Sequence, residues 1–235
     1  MSIRSPLLIT FSGVDGAGKS TQIENLRERL ASAGLKIRQL AFWDDVVVGT
    51  RYREGFVHKV YGSEKGIGAP DKPVNRRDKN MRGWYLTCLR HAMYLLDAIN
   101  LRFVMGKALR SGTDVVIVDR YIYDELVNLP MDRAATRSFV RMAASLVPRP
   151  DIAYLLDADP EAARARKPEY PVDFLHQSRA AYHRLANLLG TMTLIPPLPL
   201  AEAKAEVVTA CDRAILTKEL KLGSTENRAA GVPVG

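Results

Sequence analysis

Short apolar runs alternate with longer amphipathic stretches along most of the chain. Five of these runs have the length and the β-branched content of buried strands. They lie at 7–12, 36–41, 115–118, 152–156 and 192–195. Because the runs are continuous and helical patterns separate them, we predict an α/β fold, with a three-layer, doubly wound, parallel five-stranded sheet.

Helical periodicity fills most of the sequence between the predicted strands. It predicts helices at 20–33, 81–110 (as one helix or two), 134–147, 173–189 and 200–216, and Pro160 opens a further one. Glycine, proline and charges interrupt the pattern from 43 to 80, which predicts short helices and functional loops there. We expect one domain over 1–217 and a disordered tail over 218–235, because the tail is small, polar and aperiodic.

The segment GVDGAGKST stands between the first predicted strand and the first predicted helix. It satisfies G-x4-G-K-[ST], and its glycines let backbone N–H groups point at phosphate oxygens. Its lysine places a charge against the β- and γ-phosphates, and its serine offers a hydroxyl to Mg²⁺. The segment therefore predicts a P-loop fold with ATP and Mg²⁺ as cofactors. The residues expected at the nucleotide are Gly13, Asp15, Gly16, Ala17, Gly18, Lys19, Ser20 and Thr21.

An acidic residue, an arginine and a tyrosine follow the third predicted strand, as Asp119, Arg120 and Tyr121. Open parallel sheets bind their ligands at the carboxyl ends of the strands. We therefore predict that Asp119 and Ser20 organise Mg²⁺, because the metal also needs a carboxylate or a water held by one. Arg120 is predicted to hold an anion rather than to form a surface ion pair.

Composition narrows the range of partners. The net charge of +8 suits nucleic acid, an anionic membrane or small anionic substrates. The basic residues stand in short dispersed clusters, which favours small phosphate ligands over nucleic acid. No apolar run approaches the roughly 18–20 residues of a membrane span, and the amino terminus does not read as a signal peptide, so we predict a cytoplasmic protein. Cys88 and Cys211 are predicted to be reduced core thiols.

The order of four motifs resembles the thymidylate kinase branch of the nucleoside monophosphate kinases. The motifs are GVDGAGKST, a strand ending in DRY, LLDADPEAARAR, and a helix with Phe174, Arg179 and Tyr182 in an F-x4-R-x2-Y pattern. The resemblance implies ATP-dependent transfer to a nucleoside monophosphate, with thymidine monophosphate (dTMP) the first candidate acceptor. It also implies a mobile lid at about 160–173 and a homodimer formed through long helices.

The resemblance assigns roles to several residues. Asp15 matches the loop acid that contacts the acceptor sugar. The chain has Ala17 where some members carry an arginine, and in such members a lid arginine is catalytic instead. Arg164 and Arg166 are the matching residues here, with Lys167 beside them. A mobile arginine stabilises the charge that develops on the phosphoryl group. The expected catalytic residues are Lys19, Arg120, Arg164 and Arg166.

The acceptor half of the chain departs from the family pattern. The segment R-E-P-G-G-T is absent, and the chain reads AFWDDVVVGTRYR there. Asp97 stands nearest to the family's base-reading arginine, and Arg102 follows about a turn later. After DRY the chain has IYDELVNLP in place of S-x-x-A-Y-Q, and the lid, KPEYPVD, is short and lacks D-R-x-E. The motifs therefore support ATP binding better than they support a particular acceptor.

These departures leave other functions open. A kinase of a hydroxyl acceptor would need a carboxylate base, and Asp44 or Asp45 beside Trp43 could supply it. A second possibility is a catalytically silent nucleotide-binding protein, and a third is a nucleic-acid-associated ATPase. Arg82, Trp84, Tyr85 and Arg90 form a basic and aromatic group that suits a nucleotide acceptor. The residues predicted to bind the acceptor are Asp15, Asp44, Arg82, Arg90, Asp119, Arg120 and Tyr121.

Overall fold

The computed structural model describes residues 5–47 and 84–229 of the 235-residue chain. Five strands form one parallel sheet in the order β2-β3-β1-β4-β5. The strands are β1 (Leu7–Gly13), β2 (Ile37–Ala41), β3 (Val115–Asp119), β4 (Ile152–Leu156) and β5 (Met192–Ile195). The predicted parallel five-stranded sheet is confirmed, because each apolar run became a strand within a residue or two of its expected ends.

Helices connect the strands in the order expected for a doubly wound fold. They are α1 (Lys19–Ser32), α2 (Trp84–Leu109), α3 (Tyr123–Leu126), α4 (Ala134–Leu146), α5 (Pro160–Arg166), α6 (Val172–Leu189) and α7 (Leu200–Ala229). A π-helical turn, Phe42–Val46, follows β2. The short α3 after β3 was not predicted. Most of the region predicted to hold short helices, residues 48–83, lies outside the described residues.

Alternate side chains of β1 face two different helical layers. Leu7, Ile9 and Phe11 pack in a core with residues of α1 and α7. Leu8 packs on the opposite side with residues of α2, α4 and α6. The continuous apolar strands that the sequence displays are therefore buried on both faces, as parallel strands require. The carboxyl ends of β1, β3 and β4 meet at one edge, where the phosphate loop lies.

The last helix extends beyond its predicted end at 216. The structure continues α7 to Ala229, so residues 218–229 are helical where the sequence predicted a disordered tail. Lys218 supports this part of the helix: its Nζ donates to the Pro6 carbonyl at 2.6 Å and to Asp151 Oδ2 at 2.8 Å. These partners are distant in sequence, so a local pattern could not reveal them. Residues 230–235 lie outside the described residues.

The two cysteines occupy different environments. Cys211 is buried in the core shared by α1 and α7, and burial raises the pKa of its thiol to about 12. Cys88 is exposed on α2, so the prediction of a core position was wrong for this residue. Within the described part of the chain, none of the helices is both long enough and apolar enough to cross a bilayer.

Candidate active site

The phosphate loop packs against β4 and α5. Gly13 has φ 139°, and a Cβ there would lie 2.3 Å from the Leu156 carbonyl oxygen. Gly16 has φ 83°, and a Cβ there would lie 2.4 Å from the carbonyl oxygen of Ala163 in α5. Both positions require glycine for space as well as for backbone conformation. The loop and the helix that begins the lid are therefore in direct contact.

Lys19 is held by the loop that precedes it. Its side chain is 7% exposed, and its Nζ donates to the carbonyl oxygens of Gly13 (2.8 Å) and Val14 (2.9 Å). Burial, together with the charge of Arg120, lowers the pKa of Lys19 to about 8. The ammonium group of Lys19 is therefore held at the carboxyl end of β1. It lies beside the loop backbone that is expected to bind phosphate.

Arg120 pairs with Asp15, and these two residues were predicted from separate motifs. Its Nη2 donates to Asp15 Oδ1, and its Nη1 lies 3.4 Å from Asp124 Oδ1. Burial alone would lower the pKa of the guanidinium, but the carboxylates of Asp124 and Asp15 outweigh it and raise the pKa. Arg120 has φ 68°, a left-handed conformation that is uncommon for a residue with a Cβ. The strand end therefore presents a permanent cation in a fixed position.

Asp124 holds Arg120 in position, and this role was not predicted from the sequence. The residue is 4% exposed, and its carboxylate accepts hydrogen bonds from Ser12 Oγ (2.6 Å), the Tyr121 backbone N–H (3.0 Å) and the Tyr182 hydroxyl (2.7 Å). These donors come from β1, the end of β3 and α6. Asp124 stands three residues after the DRY motif, and an acid so close to that motif was the signal that could have identified it.

Asp119 and Ser20 fit a magnesium ion. Asp119 Oδ1 is buried and accepts no hydrogen bond from the residues that the structure describes. Burial raises the pKa of Asp119, although Lys19 and Arg120 act in the opposite direction. Ser20 lies in the first turn of α1, immediately after Lys19. A buried carboxylate oxygen without a partner and a hydroxyl at the loop are oxygen ligands of the kind that Mg²⁺ takes, with water and phosphate completing its shell.

The two predicted lid arginines have different partners. Arg166 faces the phosphate loop, since its Nη1 lies 4.0 Å from the position of a Cβ on Gly18. Arg164 instead donates from Nη1 to the Tyr170 carbonyl at 3.1 Å, within the lid itself. Burial would raise the pKa of Asp15, but Arg120, Lys19 and Lys167 outweigh it and lower the pKa. Lys167 therefore adds positive charge near Asp15, and its Nζ also lies 3.2 Å from Glu169 Oε1 within the lid.

A second buried carboxylate ties α6 to the end of β4. Asp157 accepts two hydrogen bonds of 2.7 Å from Arg179, through Nε and Nη2, and its Oδ2 lies 3.1 Å from His183 Nε2. Burial would raise the pKa of Asp157, but the hydrogen bonds and charge of Arg179, with His183, lower it. Arg179 was identified from the sequence as part of a family motif, but no role was assigned to it. The structure shows that it anchors the helix that follows the lid.

A cavity of about 240 Å³ lies between the phosphate loop, α5 and the segment after β5. Its wall includes Ala17, Gln22, Arg166 and Pro196. Gln22 is 3% exposed, and its Oε1 has no hydrogen-bond partner among the described residues. The sequence did not single out Gln22, because nothing local distinguishes a glutamine in the first turns of a helix.

Other predicted site residues lie apart from this group. The side chain of Tyr121 is in the core, where its hydroxyl donates to the Pro148 carbonyl at 2.6 Å, so only its backbone N–H contributes to the site. Asp45 accepts a hydrogen bond from the Ala41 backbone N–H at 2.7 Å, which caps the π-helical turn, and Asp44 is exposed on that turn.

The residues predicted on the long helix are only partly described. Arg90 Nε is buried without a hydrogen-bond partner among the described residues. Arg82 and the side chains of Trp84 and Tyr85 lie outside them. Asp97, aligned with the family's base-reading arginine, is fully buried on α2. Arg102 is exposed and donates from Nη1 to the Leu146 carbonyl at 3.2 Å.

Comparison with known proteins identifies the family. A thymidylate kinase of Bifidobacterium longum subsp. infantis is 30% identical over an alignment of 192 residues, which covers 77% of this chain and 75% of that protein. The chain belongs to the thymidylate kinase family. A probable thymidylate kinase of Archaeoglobus fulgidus is 28% identical over 209 residues, covering 86% of this chain and 92% of that one. No family model matches the chain.

A solved thymidylate kinase structure shares the fold. The crystal structure of the enzyme from Ehrlichia chaffeensis superposes with a TM-score of 0.57, at 15% identity, over 88% of this chain and 99% of that chain. The family resemblance that the motifs predicted is therefore confirmed, and so is the assignment as a nucleotide kinase of the thymidylate kinase type.

Proposed function

We propose that this thymidylate kinase family member transfers the γ-phosphoryl group of ATP to dTMP. The observation that carries the proposal is the pairing of Arg120 with Asp15 beside Lys19, where β1 and β3 end. A cation for a phosphate and a carboxylate for a sugar hydroxyl then stand side by side, which suits a nucleoside monophosphate. The names of the related proteins supply the choice of dTMP.

The donor triphosphate would lie along the phosphate loop. Lys19 would exchange the carbonyl oxygens of Gly13 and Val14 for the β- and γ-phosphate oxygens, which are stronger partners for an ammonium group. The adenine would enter the 240 Å³ cavity, where Gln22 Oε1 can accept a hydrogen bond from the exocyclic amine.

Ser20 and Asp119 would hold Mg²⁺, with Asp119 Oδ1 as the carboxylate oxygen that is free to take part. When bound, the metal neutralises charge on the β- and γ-phosphates. The chain's own contribution is to keep this oxygen buried and without a hydrogen bond from any donor that the structure describes. Burial already raises the pKa of Asp119, and a neighbouring cation would favour its ionised form.

In the complex with the acceptor, Arg120 would bind the phosphate and Asp15 would bind the sugar. A phosphate oxygen is already anionic and needs orientation rather than a base. Arg120 provides this orientation, because Asp124 and its φ of 68° fix the guanidinium. Arg166, over the loop, would then stabilise the charge on the transferred group, while Arg164 would hold the lid segment through Tyr170.

Phosphorylation of a hydroxyl acceptor is the second candidate function, and the structure supports it less well than transfer to a monophosphate. Such a reaction needs a carboxylate base at the end of β2. Asp45 is engaged with the Ala41 backbone N–H, and Asp44 is exposed to solvent. Neither residue pairs with the groups around Arg120 in the described part of the chain.

Lys19→Ala tests the proposed function. Among the described residues the lysine donates only to backbone carbonyls, so we expect the variant to keep its circular dichroism spectrum and to lose ATP-dependent phosphorylation of dTMP. The matched control is Lys36→Ala, an exposed lysine immediately before β2, which should retain the wild-type rate. Wild-type turnover by the Lys19 variant would overturn the assignment of the donor site.

A further inference from the structure

A basic groove lies where the carboxyl-terminal half of α2 passes the edge strand β2. It has a volume of about 530 Å³, and none of the described residues that line it is acidic. Four cations line it, namely Arg38, Arg102, Lys107 and Arg110, together with Phe103 and Gly106. No motif in the sequence accounts for this groove, and the proposed reaction does not use it.

The basic groove lies toward the end of the sheet opposite the phosphate loop. Arg38 is the second residue of β2 and pairs in register with Val116, the second residue of β3. The phosphate loop and Asp119 stand instead at the carboxyl ends of their strands. A ligand in the groove would therefore be separate from the donor and the acceptor.

The charges in the groove are not neutralised. Neither Arg38, Lys107 nor Arg110 forms an ion pair or a hydrogen bond through its side chain within the described residues. Arg102 donates to the Leu146 carbonyl, a neutral acceptor, so its charge also remains. Cations close together repel one another, and a bound anion would relieve this repulsion. Lys107 and Arg110 also lie near the carboxyl end of α2, which favours cations, but this does not explain Arg38 or Arg102.

Gly106 gives the groove its depth. It lies four residues from both Arg102 and Arg110, which follows the last residue of α2, so the three positions lie along one side of the helix and its end. A Cβ at this position would lie 3.4 Å from Arg110 Nη2, so a side chain here would crowd a guanidinium that lines the groove. A glycine inside a helix costs about 1 kcal/mol relative to alanine, so its presence here calls for a local reason. The open floor of the groove is such a reason.

We propose that the basic groove binds a polyphosphate, with the triphosphate chain of a nucleotide as its ligand. Arginine guanidinium groups bind phosphate oxygens in pairs, and three of the four cations are arginines. The volume lies within the roughly 300–1,000 Å³ of small-molecule sites. Phe103, 71% exposed at the rim, offers a ring on which a base can stack. The proposal does not depend on the identity of the acceptor.

Calorimetric titration of the full chain with ATP and with inorganic tripolyphosphate tests the proposal. The wild-type chain should bind ATP at two sites, and Lys19→Ala should retain the site in the groove. The double substitution Arg38→Gln with Arg110→Gln should weaken this second site about tenfold or more. The matched control changes the exposed Arg184 and Arg213 to glutamine, with the same loss of charge on α6 and α7.

Gly106→Gln provides a second variant that keeps the charge. It fills the groove and raises helix propensity, so it should bind polyphosphate more weakly without loss of stability. Tighter binding of ATP than of tripolyphosphate in the groove supports stacking on Phe103, and equal affinity supports recognition of the phosphate chain alone. A groove variant and a control variant that bind ATP equally would overturn the proposal. Tighter binding of single-stranded DNA at equal phosphate concentration would overturn the assignment to a small ligand.

Discussion

The Tyr182 hydroxyl donates a hydrogen bond of 2.7 Å to Asp124 Oδ1, the oxygen that also faces Arg120. This contact joins α6, which follows the lid, to the arginine that we assign to the acceptor phosphate. Asp124 also holds Ser12 of β1, so one carboxylate connects three elements of the site. The positions of the lid and of Arg120 are therefore coupled through a buried residue.

Asp124→Asn should impair both stability and acceptor binding. The change removes a buried charge that Arg120 requires, and breaking such a pair costs about 3 kcal/mol. We expect a lower melting temperature and a raised KM for dTMP, with the KM for ATP changed less. Tyr182→Phe is the milder control, because it removes one hydrogen bond worth about 1 kcal/mol and keeps the ring in place. Asp124→Asn with an unchanged KM for dTMP would contradict the coupling.

Gly16→Ala should weaken ATP binding. The new Cβ would lie 2.4 Å from the Ala163 carbonyl oxygen, a backbone atom, at a φ of 83°. The loop must then move away from α5, so nucleotide affinity and the free energy of unfolding should both fall. Gly34→Ala is the control, since Gly34 has a similar φ of 80° with no atom within 4 Å of its Cβ position. That variant should lose about 1 kcal/mol of stability from backbone strain alone and bind ATP as the wild type does. Equal ATP affinity in the two variants would contradict the loop packing.

Asp157 should stabilise the fold at neutral pH and less so in acid. The pKa of its carboxyl group is lowered in the folded chain, so its stabilisation is present above the ordinary value of about 3.9. It is lost as the pH falls through the lower folded value. Asp157→Asn should therefore reduce the free energy of unfolding by about 1–2 kcal/mol at pH 7. Urea titrations of both chains should converge below about pH 4, and a constant difference down to pH 3 would contradict this assignment.

Arg166→Ala and Arg164→Ala should differ in their effect on turnover. Arg166 faces the phosphate loop, so its loss should lower kcat by about 10²–10³ with little change in stability. Arg164 donates to Tyr170, and its loss should lower kcat less and loosen the lid. Steady-state kinetics and limited proteolysis of the lid segment distinguish the two effects. A larger loss of kcat in the Arg164 variant would reverse the assignment.

Local sequence patterns predicted the sheet and the phosphate loop because both depend on short-range signals. The apolar runs identified each strand, and GVDGAGKST identified the loop with Lys19 and Ser20. Contacts between distant positions could not be predicted in this way. Asp124 and Tyr182 are 58 residues apart, and Asp157 and Arg179 are 22 apart. Each pair became visible only when the fold placed its members together.

The roles of neighbouring residues were equally difficult to separate from the sequence. Arg164 and Arg166 looked equivalent, because both are basic and stand in the same short segment. The helical turn of α5 sends one to the loop and the other to the Tyr170 carbonyl. Tyr121 similarly looked like a site residue beside Arg120, but its side chain turns into the core.

Comparison of dTMP with thymidine as acceptor tests the central claim most directly. The measurement is ATP-dependent, Mg²⁺-dependent product formation by the full chain, with kcat/KM determined for each acceptor. Arg120 is assigned to the acceptor phosphate, and thymidine has no phosphate, so bound thymidine would leave the Arg120 guanidinium without this partner. We therefore expect kcat/KM to be at least about 10⁴-fold higher for dTMP than for thymidine. Arg120→Gln should remove most of this preference. Equal or faster phosphorylation of thymidine would contradict the account.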